Sequence, residues 1–428
     1  MPGTTFSRRH ILSAVGAVAV GTVLAEPLKA ANPEPSKAGS EPTSWADSAM
    51  PEVTHRMVET NGIRLHVAEQ GEGPLVILCH GFPECWYSWR HQLPALGKAG
   101  FRAVAPDLRG YGLSERPESV ENYTILDSIG DIVGLVDALG AKQAVIAGHD
   151  VGAAIAWQTA LLRPDIFPAV IALSPPFRSR GFGDAGPPTT LMPRTENAVF
   201  YQLFLQTPEA EAGLARDLPL TFRYQFYTLS GDRPPSAGVG GLPPGMMPRK
   251  GGFLTDPPSL PAWITDSDID VYVAEFTRSG FHGPLAWWRN IDRGWELMAP
   301  LAGAAVTVPA LYMAGDRDFV AAVFSQDIAT QSALVPKLRP PIMLPGCGHW
   351  TQQERAPEVS AAMIDFLRSL YANESNPRHR LGSGNRHCHR QSIPRPSASV
   401  IAPNHCGDGH RHRESWHHTR PGHGRHAR

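Results

Sequence analysis

Between Glu52 and Tyr371, short apolar runs alternate with longer stretches of helical period. The apolar runs are residues 75–79, 103–105, 144–147, 169–173, 310–314 and 341–344. Each is nearly continuous in apolar character, as strands buried on both faces must be. Between them, residues 125–139 place Ile125, Ile129, Ile132, Val133 and Val136 on one helical face. The alternation predicts an α/β fold with a mostly parallel central sheet and helices on both faces. In such sheets, ligand sites lie at the carboxyl ends of the strands.

Residues 177–300 break the alternation. Aromatic helical stretches occur there (Phe200, Tyr201, Phe204; Phe222, Tyr224, Phe226, Tyr227), with a Pro/Gly-rich loop over 232–258. Sheet-like sequence resumes afterwards, which favours a helical cap inserted over the sheet rather than a separate small domain. The core is then expected in two parts, 51–176 and 301–372.

Composition changes this picture little in the body and much at the ends. The chain of 428 residues is 42% hydrophobic and 18% charged, ample for a large core. Its net charge of −1 gives no pull toward nucleic acid or membrane surfaces as a whole. Five cysteines are too sparse for a disulfide framework and lack paired zinc spacing. The tail over 373–428 holds ten of the eighteen histidines and ten arginines, against two aspartates and glutamates beyond Arg378. It lacks helical or strand period and reads as disordered. Its composition suits a passive extension, with weak metal or polyanion binding as the alternative.

At the other end, Ser7-Arg8-Arg9-His10-Ile11-Leu12 precedes a modestly apolar, small-residue run to Ala25. Residues 1–31 look like a twin-arginine export signal, cleaved between Ala25 and Ala31. A general secretory signal or an uncleaved anchor is the alternative. The run is too short for a comfortable membrane span. The signal predicts a periplasmic or secreted protein, joined through a Pro/Ser-rich linker over 32–50.

Candidate chemistry sits where the pattern places strand ends. The run 144–147 leads into Gly148-His149-Asp150-Val151-Gly152-Ala153. This is a small-x-nucleophile-x-small turn, with aspartate where serine is commoner. Alone, such an aspartate also fits a helix cap. Three features favour chemistry. His80-Gly81-Phe82-Pro83 follows a strand and aims a backbone N–H, that of Phe82, at a developing oxyanion, beside the N–H of Val151. Gly315-Asp316-Arg317-Asp318 and Gly346-Cys347-Gly348-His349-Trp350 follow the last two strands. Nucleophile, acid and histidine thus run in one chain order at successive strand ends, which predicts a catalytic role for His349. Asp318 and Asp316 are both candidates for the acid. An aspartate is ionised near neutral pH and needs no activating base. It suits displacement at saturated carbon through an alkyl ester, which a histidine-activated water then hydrolyses.

His80-Gly81-Phe82-Pro83-Glu84, Trp86-Tyr87-Ser88-Trp89-Arg90, Asp107-Leu108-Arg109-Gly110-Tyr111-Gly112, Gly148-His149-Asp150 and Cys347-Gly348-His349-Trp350-Thr351-Gln352 form a specific set. Through it the chain resembles the soluble epoxide hydrolases of the α/β-hydrolase fold, from about Glu52 to Tyr371. The resemblance implies Asp150 as nucleophile, His349 as the water-activating base and Asp318 as its acid partner. Asp107 belongs to a structural turn. The family uses two cap tyrosines on the epoxide oxygen, and the first matches Tyr201. Where the second is expected, within Gly280-Phe281-His282-Gly283-Pro284-Leu285-Ala286-Trp287-Trp288-Arg289-Asn290, this chain has Trp288. An indole N–H donates a hydrogen bond but does not deliver a proton as a phenol does. The expected substrate pocket includes Trp288, Trp86 and Pro83.

The implied substrates are a small apolar epoxide and water, with no nucleic acid, no membrane span, and no motif demanding a metal or organic cofactor. The alternatives are a haloalkane dehalogenase using the same Asp/His/Asp set and a ligand-binding protein without turnover. Val151 stands where dehalogenases commonly carry tryptophan. No sequence feature indicates an oligomeric state.

Overall fold

A computed structural model describes residues 52–234, 242–243, 245–249 and 254–372. The expected export signal, linker and basic tail lie outside the described residues, as does part of the 232–258 loop.

The central sheet has eight strands in the order β1-β2-β4-β3-β5-β6-β9-β10. The strands are β1 (Thr54–Thr60), β2 (Ile63–Gln70), β3 (Leu75–Cys79), β4 (Arg102–Pro106), β5 (Val145–His149), β6 (Val170–Leu173), β9 (Ala310–Gly315) and β10 (Ile342–Leu344). All six apolar runs are strands, within one or two residues of their expected ends. From β4 to β10 every pairing is parallel, whereas β1–β2 and β2–β4 are antiparallel. The β1–β2 hairpin is absent from the apolar pattern because it lies at the sheet's edge. Its residues mix exposed, half-buried and buried positions, unlike the wholly buried β3 and β5.

The helix expected over 125–139 forms as Ile125–Ala138. Thr124 starts it with a reciprocal capping box: its hydroxyl accepts the Asp127 N–H while Asp127 accepts the Thr124 N–H. The order of strands reverses beside β3, where the chain goes first to β4 and then to β5 on the other side. Crevices open at such points, at the strand carboxyl ends.

The insertion covers these ends. Its helices include Tyr201–Phe204 and Leu218–Thr228, where the aromatic stretches lie, and also Asp266–Ser279 and His282–Arg289. It also holds a small antiparallel pair the sequence pattern does not show, β7 (Ala198–Phe200) with β8 (Met246–Pro248). Phe222, Tyr272 and Phe276 pack ring on ring inside it. Core and cap meet at Asp268, which accepts the Tyr87 hydroxyl at 2.9 Å and pairs with Arg90 at 3.2 Å. Ser88 of the core and Tyr272 of the cap share a further buried hydrogen bond. No helix among the described residues is long and apolar enough to cross a membrane.

Candidate active site

Asp150 stands at the carboxyl end of β5, between the strand and the helix Val151–Leu162. Its backbone has φ 50° and ψ −120°, a conformation that costs an ordinary residue about 1–3 kcal/mol. The close packing around the turn holds it there. A Cβ on Gly148 would strike the Gly152 carbonyl, and one on Gly152 would strike the carbonyls of Cys79 and His80. Only glycine at both positions lets β3, β5 and the helix meet this closely. The Asp150 side chain makes no capping bond to the helix it precedes, so the capping role open at the level of sequence is not realised. The carboxylate faces the cavity instead, near the positive end of the helix dipole.

The two carboxylate oxygens differ. Oδ1 accepts the Phe82 N–H at 3.0 Å. Oδ2 lies 3.6 Å from His349 Nε2. Val151 opens the helix, and among the described residues its amide makes no hydrogen bond to this carboxylate. His349 Nδ1 lies 3.2 Å from Asp318 Oδ1. Asp316 points elsewhere: it is exposed and accepts the Gly346 N–H at 2.7 Å. Of the two candidate acids, the geometry therefore pairs Asp318 with the histidine.

Burial alone lowers the basicity of the His349 imidazole, but Asp318 and Asp150 outweigh it and raise its pKa to about 9. Burial works against ionised Asp318, yet His349 and the Ser174 hydroxyl hold it below the ordinary carboxylate range. Ser174 is a site residue that the sequence did not disclose. It follows β6 with φ 79°, donates its hydroxyl to Asp318, and lies 3.1 Å from His349 Nδ1. Its own carbonyl accepts the Tyr312 hydroxyl, which fixes the turn.

Behind the nucleophile lies a second pair. Glu84 Oε2 meets His149 Nδ1 at 2.7 Å and the Gly81 N–H at 2.7 Å. His149 Nε2 faces the His349 carbonyl at 2.7 Å, so that nitrogen carries a proton. Burial pushes the Glu84 carboxyl up, but His149 and the Gly81 amide hold it at about 2. Both residues stood in the quoted motifs, 65 positions apart. Nothing in either motif alone shows that they join.

The cap supplies the roof. Tyr201 begins a short helix directly after β7, and its hydroxyl accepts from the Gln202 amide at 3.0 Å. Burial raises its phenol well above the ordinary range, and the nearby Asp150 adds to the effect, so it stays a proton donor. Trp288 packs edge-on against both Tyr201 and Phe82, with centroids 5.8 and 5.9 Å apart. Its indole N–H is buried with no hydrogen-bond partner among the described residues.

A cavity of about 400 Å³ opens at these groups. Asp150, Phe82, Tyr201, Trp288, Phe319 and His349 all line it. Trp86 and Pro83, expected in the pocket, do not. The Trp86 ring turns into the core against His55 and Tyr87, while the residue's backbone N–H donates to Asp107. Pro83 follows a cis peptide after Phe82 and is likewise buried off the cavity. Asp107 also binds His66 at 2.8 Å, which ties the β2 edge to the turn after β4. Among the described residues no group of three histidine, cysteine or acidic side chains is placed to hold a metal ion.

An aspartate on a strained strand–helix elbow, with a histidine and a second carboxylate on later strand ends, defines an α/β hydrolase. A family model for the alpha/beta hydrolase fold matches residues 74–356. Epoxide hydrolase A of Mycobacterium tuberculosis is 45% identical over 326 residues, covering 74% of this chain and 98% of that protein. Epoxide hydrolase 2 of Siraitia grosvenorii is 37% identical, covering 75% of this chain and 100% of the relative. Among solved structures, an epoxide hydrolase from an endophytic Streptomyces superposes with a TM-score of 0.70 at 41% identity, covering 75% of this chain and 97% of that one. Epoxide hydrolase A from Mycobacterium thermoresistibile gives 0.67 at 45% identity, covering 74% and 98%. The chain belongs to the epoxide hydrolase family.

Proposed function

We propose that the protein hydrolyses an epoxide to a vicinal diol through an ester on Asp150. The observation that carries this is the division of labour between the Asp150 oxygens. Oδ1 is held by the Phe82 N–H, whereas Oδ2 faces the cavity and His349. Oδ2 attacks an epoxide carbon, the C–O bond of the ring breaks, and the ring oxygen takes a proton from the Tyr201 hydroxyl. Trp288 contributes at most a hydrogen bond, so of these two roof residues only Tyr201 delivers a proton.

Ester formation removes the negative charge of Asp150, one of the three carboxylates that raise the His349 pKa. The imidazole then gives up its proton more readily, which restores the Tyr201 phenol, and the neutral ring takes one from a water. That water attacks the ester carbonyl carbon. The Phe82 N–H stabilises the resulting oxyanion on Oδ1, with the Val151 amide as a second donor once negative charge builds there. Collapse breaks the ester C–O bond: the diol oxygen leaves with the proton held by His349, and the carboxyl proton left on Asp150 passes to the imidazole, which restores the starting state. Asp318 and Ser174 keep the His349 ring oriented throughout.

The direct test is turnover of a panel holding 1,2-epoxyoctane and 1-chlorohexane, with diol and chloride measured. Diol without chloride supports the reading. Chloride release without diol would replace it with dehalogenation, and no turnover of either would favour ligand binding alone.

We also infer export, from the twin arginines Arg8 and Arg9 before a short apolar run. Replacing both with lysine blocks appearance of a shortened protein outside the cytoplasm if this holds. Unchanged export of the double variant rules out the twin-arginine route.

A further inference from the structure

The main chain around His349 converges with a segment of the cap on one buried carboxylate, that of Glu354. This residue ends the short helix Thr351–Glu354, directly after the histidine loop, and is 6% exposed. Its Oε2 accepts the Gly348 N–H and the Gly231 N–H, each at 2.9 Å, and its Oε1 accepts the Trp350 N–H at 3.1 Å. Gly348 and Trp350 are the neighbours of His349 on either side. Gly231 belongs to the cap, just beyond the helix Leu218–Thr228. The two segments touch so closely that a Cβ on Gly348 would strike the Gly231 nitrogen and the Leu229 carbonyl. The His349 N–H itself donates to that Leu229 carbonyl at 2.8 Å. On the other side, the His349 carbonyl faces His149 Nε2.

Resting on the epoxide hydrolase reading above, we propose that Glu354 is a positioning residue for the water-activating base. It fixes the main chain before and after His349 and ties the cap segment 229–231 to the same point. An ionised carboxylate suits this task because both its oxygens accept and neither donates. Buried N–H groups need such partners, and an amide side chain would set an NH₂ against one of them. Glu354 does not line the cavity, so its influence passes through His349 and the wall beside it, where Leu229 and Ser230 do line the cavity. None of its hydrogen bonds among the described residues goes to Asp150 or Tyr201, the groups that open the epoxide. Its effect therefore falls on the second half-reaction. There the imidazole must meet a water on the ester carbonyl, and a displacement of about 1 Å costs up to about a hundredfold in rate.

The test follows one turnover of the full chain, with excess enzyme, by rapid quench and intact-protein mass spectrometry. The gain of substrate mass reads alkylation of Asp150, and its loss reads hydrolysis of the ester. In Glu354→Gln the side-chain oxygen still serves Gly231 and Gly348, but an NH₂ meets the Trp350 N–H. Loss of the mass then slows about tenfold, while its gain stays within about twofold of the wild-type rate. Loss at the wild-type rate overturns the proposal. Gain and loss slowed by the same factor overturn it too, because a purely structural role does not separate the two steps. If Glu354→Gln does not fold, Glu354→Asp, which keeps the charge one methylene short, is read by the same outcomes. A wild type that forms no diol strikes at the underlying reaction, and the positioning role falls with it. A wild type that turns over, beside a variant whose second step is not slowed, strikes at the positioning role alone.

Discussion

The floor of the active site and its roof are built differently. On the floor, Asp150, His349 and Asp318 come from the ends of three core strands, and each is tied by hydrogen bonds or ion pairs to others. Beneath them, Glu84, His149 and Ser174 fix the ring planes and the loop. On the roof, Tyr201 and Trp288 come from the cap. One is a phenol with a single glutamine partner, the other an indole whose N–H has none among the described residues. Under the proposed mechanism, ester hydrolysis draws on a preorganised set, while protonation of the leaving oxygen falls to Tyr201. The difference teaches that the two half-reactions respond separately to substitution.

Asp150→Ala breaks the floor most completely. Turnover falls by roughly ten-thousandfold or more in steady-state assays, while near-ultraviolet circular dichroism keeps its folded signature. His349→Gln splits the two halves: the first epoxide still reacts, and hydrolysis slows by roughly a thousandfold. Intact-protein mass spectrometry then finds the enzyme heavier by one substrate. A variant that never gains this mass would place His349 in the alkylation step as well.

Tyr201→Phe acts on the roof. Alkylation measured by stopped flow slows by roughly a hundredfold, while breakdown of a preformed ester changes little. Trp288→Tyr supplies the second phenol and raises the alkylation rate up to about tenfold. An unchanged or lower rate would show that acidity in the roof does not limit ring opening.

The smallest expected effect concerns pH. His349 titrates at about 9 in the folded protein against an ordinary 6.5. Its raised pKa contributes stability that is complete below about pH 6.5 and lost as pH rises through about 9. The melting temperature therefore falls more between pH 7 and pH 10 in the wild type than in His349→Gln. Equal falls would contradict the strong pairing of His349 with Asp318 and Asp150.

The parallel core was legible because buried strands are apolar on both faces, and the elbow because Gly148 and Gly152 stand at fixed distances from the nucleophile. The choice of Asp318 over Asp316 came from resemblance alone, and geometry supplies its reason in the 3.2 Å contact to His349. What stayed hidden depends on long-range contact. The β1–β2 hairpin buries only part of each strand, so its pattern is diluted. Ser174 reaches the site by standing 144 positions from Asp318 in sequence and beside it in space. Trp86 and Pro83 lie in a motif adjoining the site, yet their side chains turn into the core, an orientation no spacing encodes.

The central claim is that Asp150 carries the substrate as an ester whose carbonyl, not the epoxide carbon, receives the water. A single turnover with excess enzyme in oxygen-18 water tests it directly. Label is expected in the peptide containing Asp150, and unlabelled oxygen in the first diol. Label in that first diol, with Asp150 unlabelled, would contradict it.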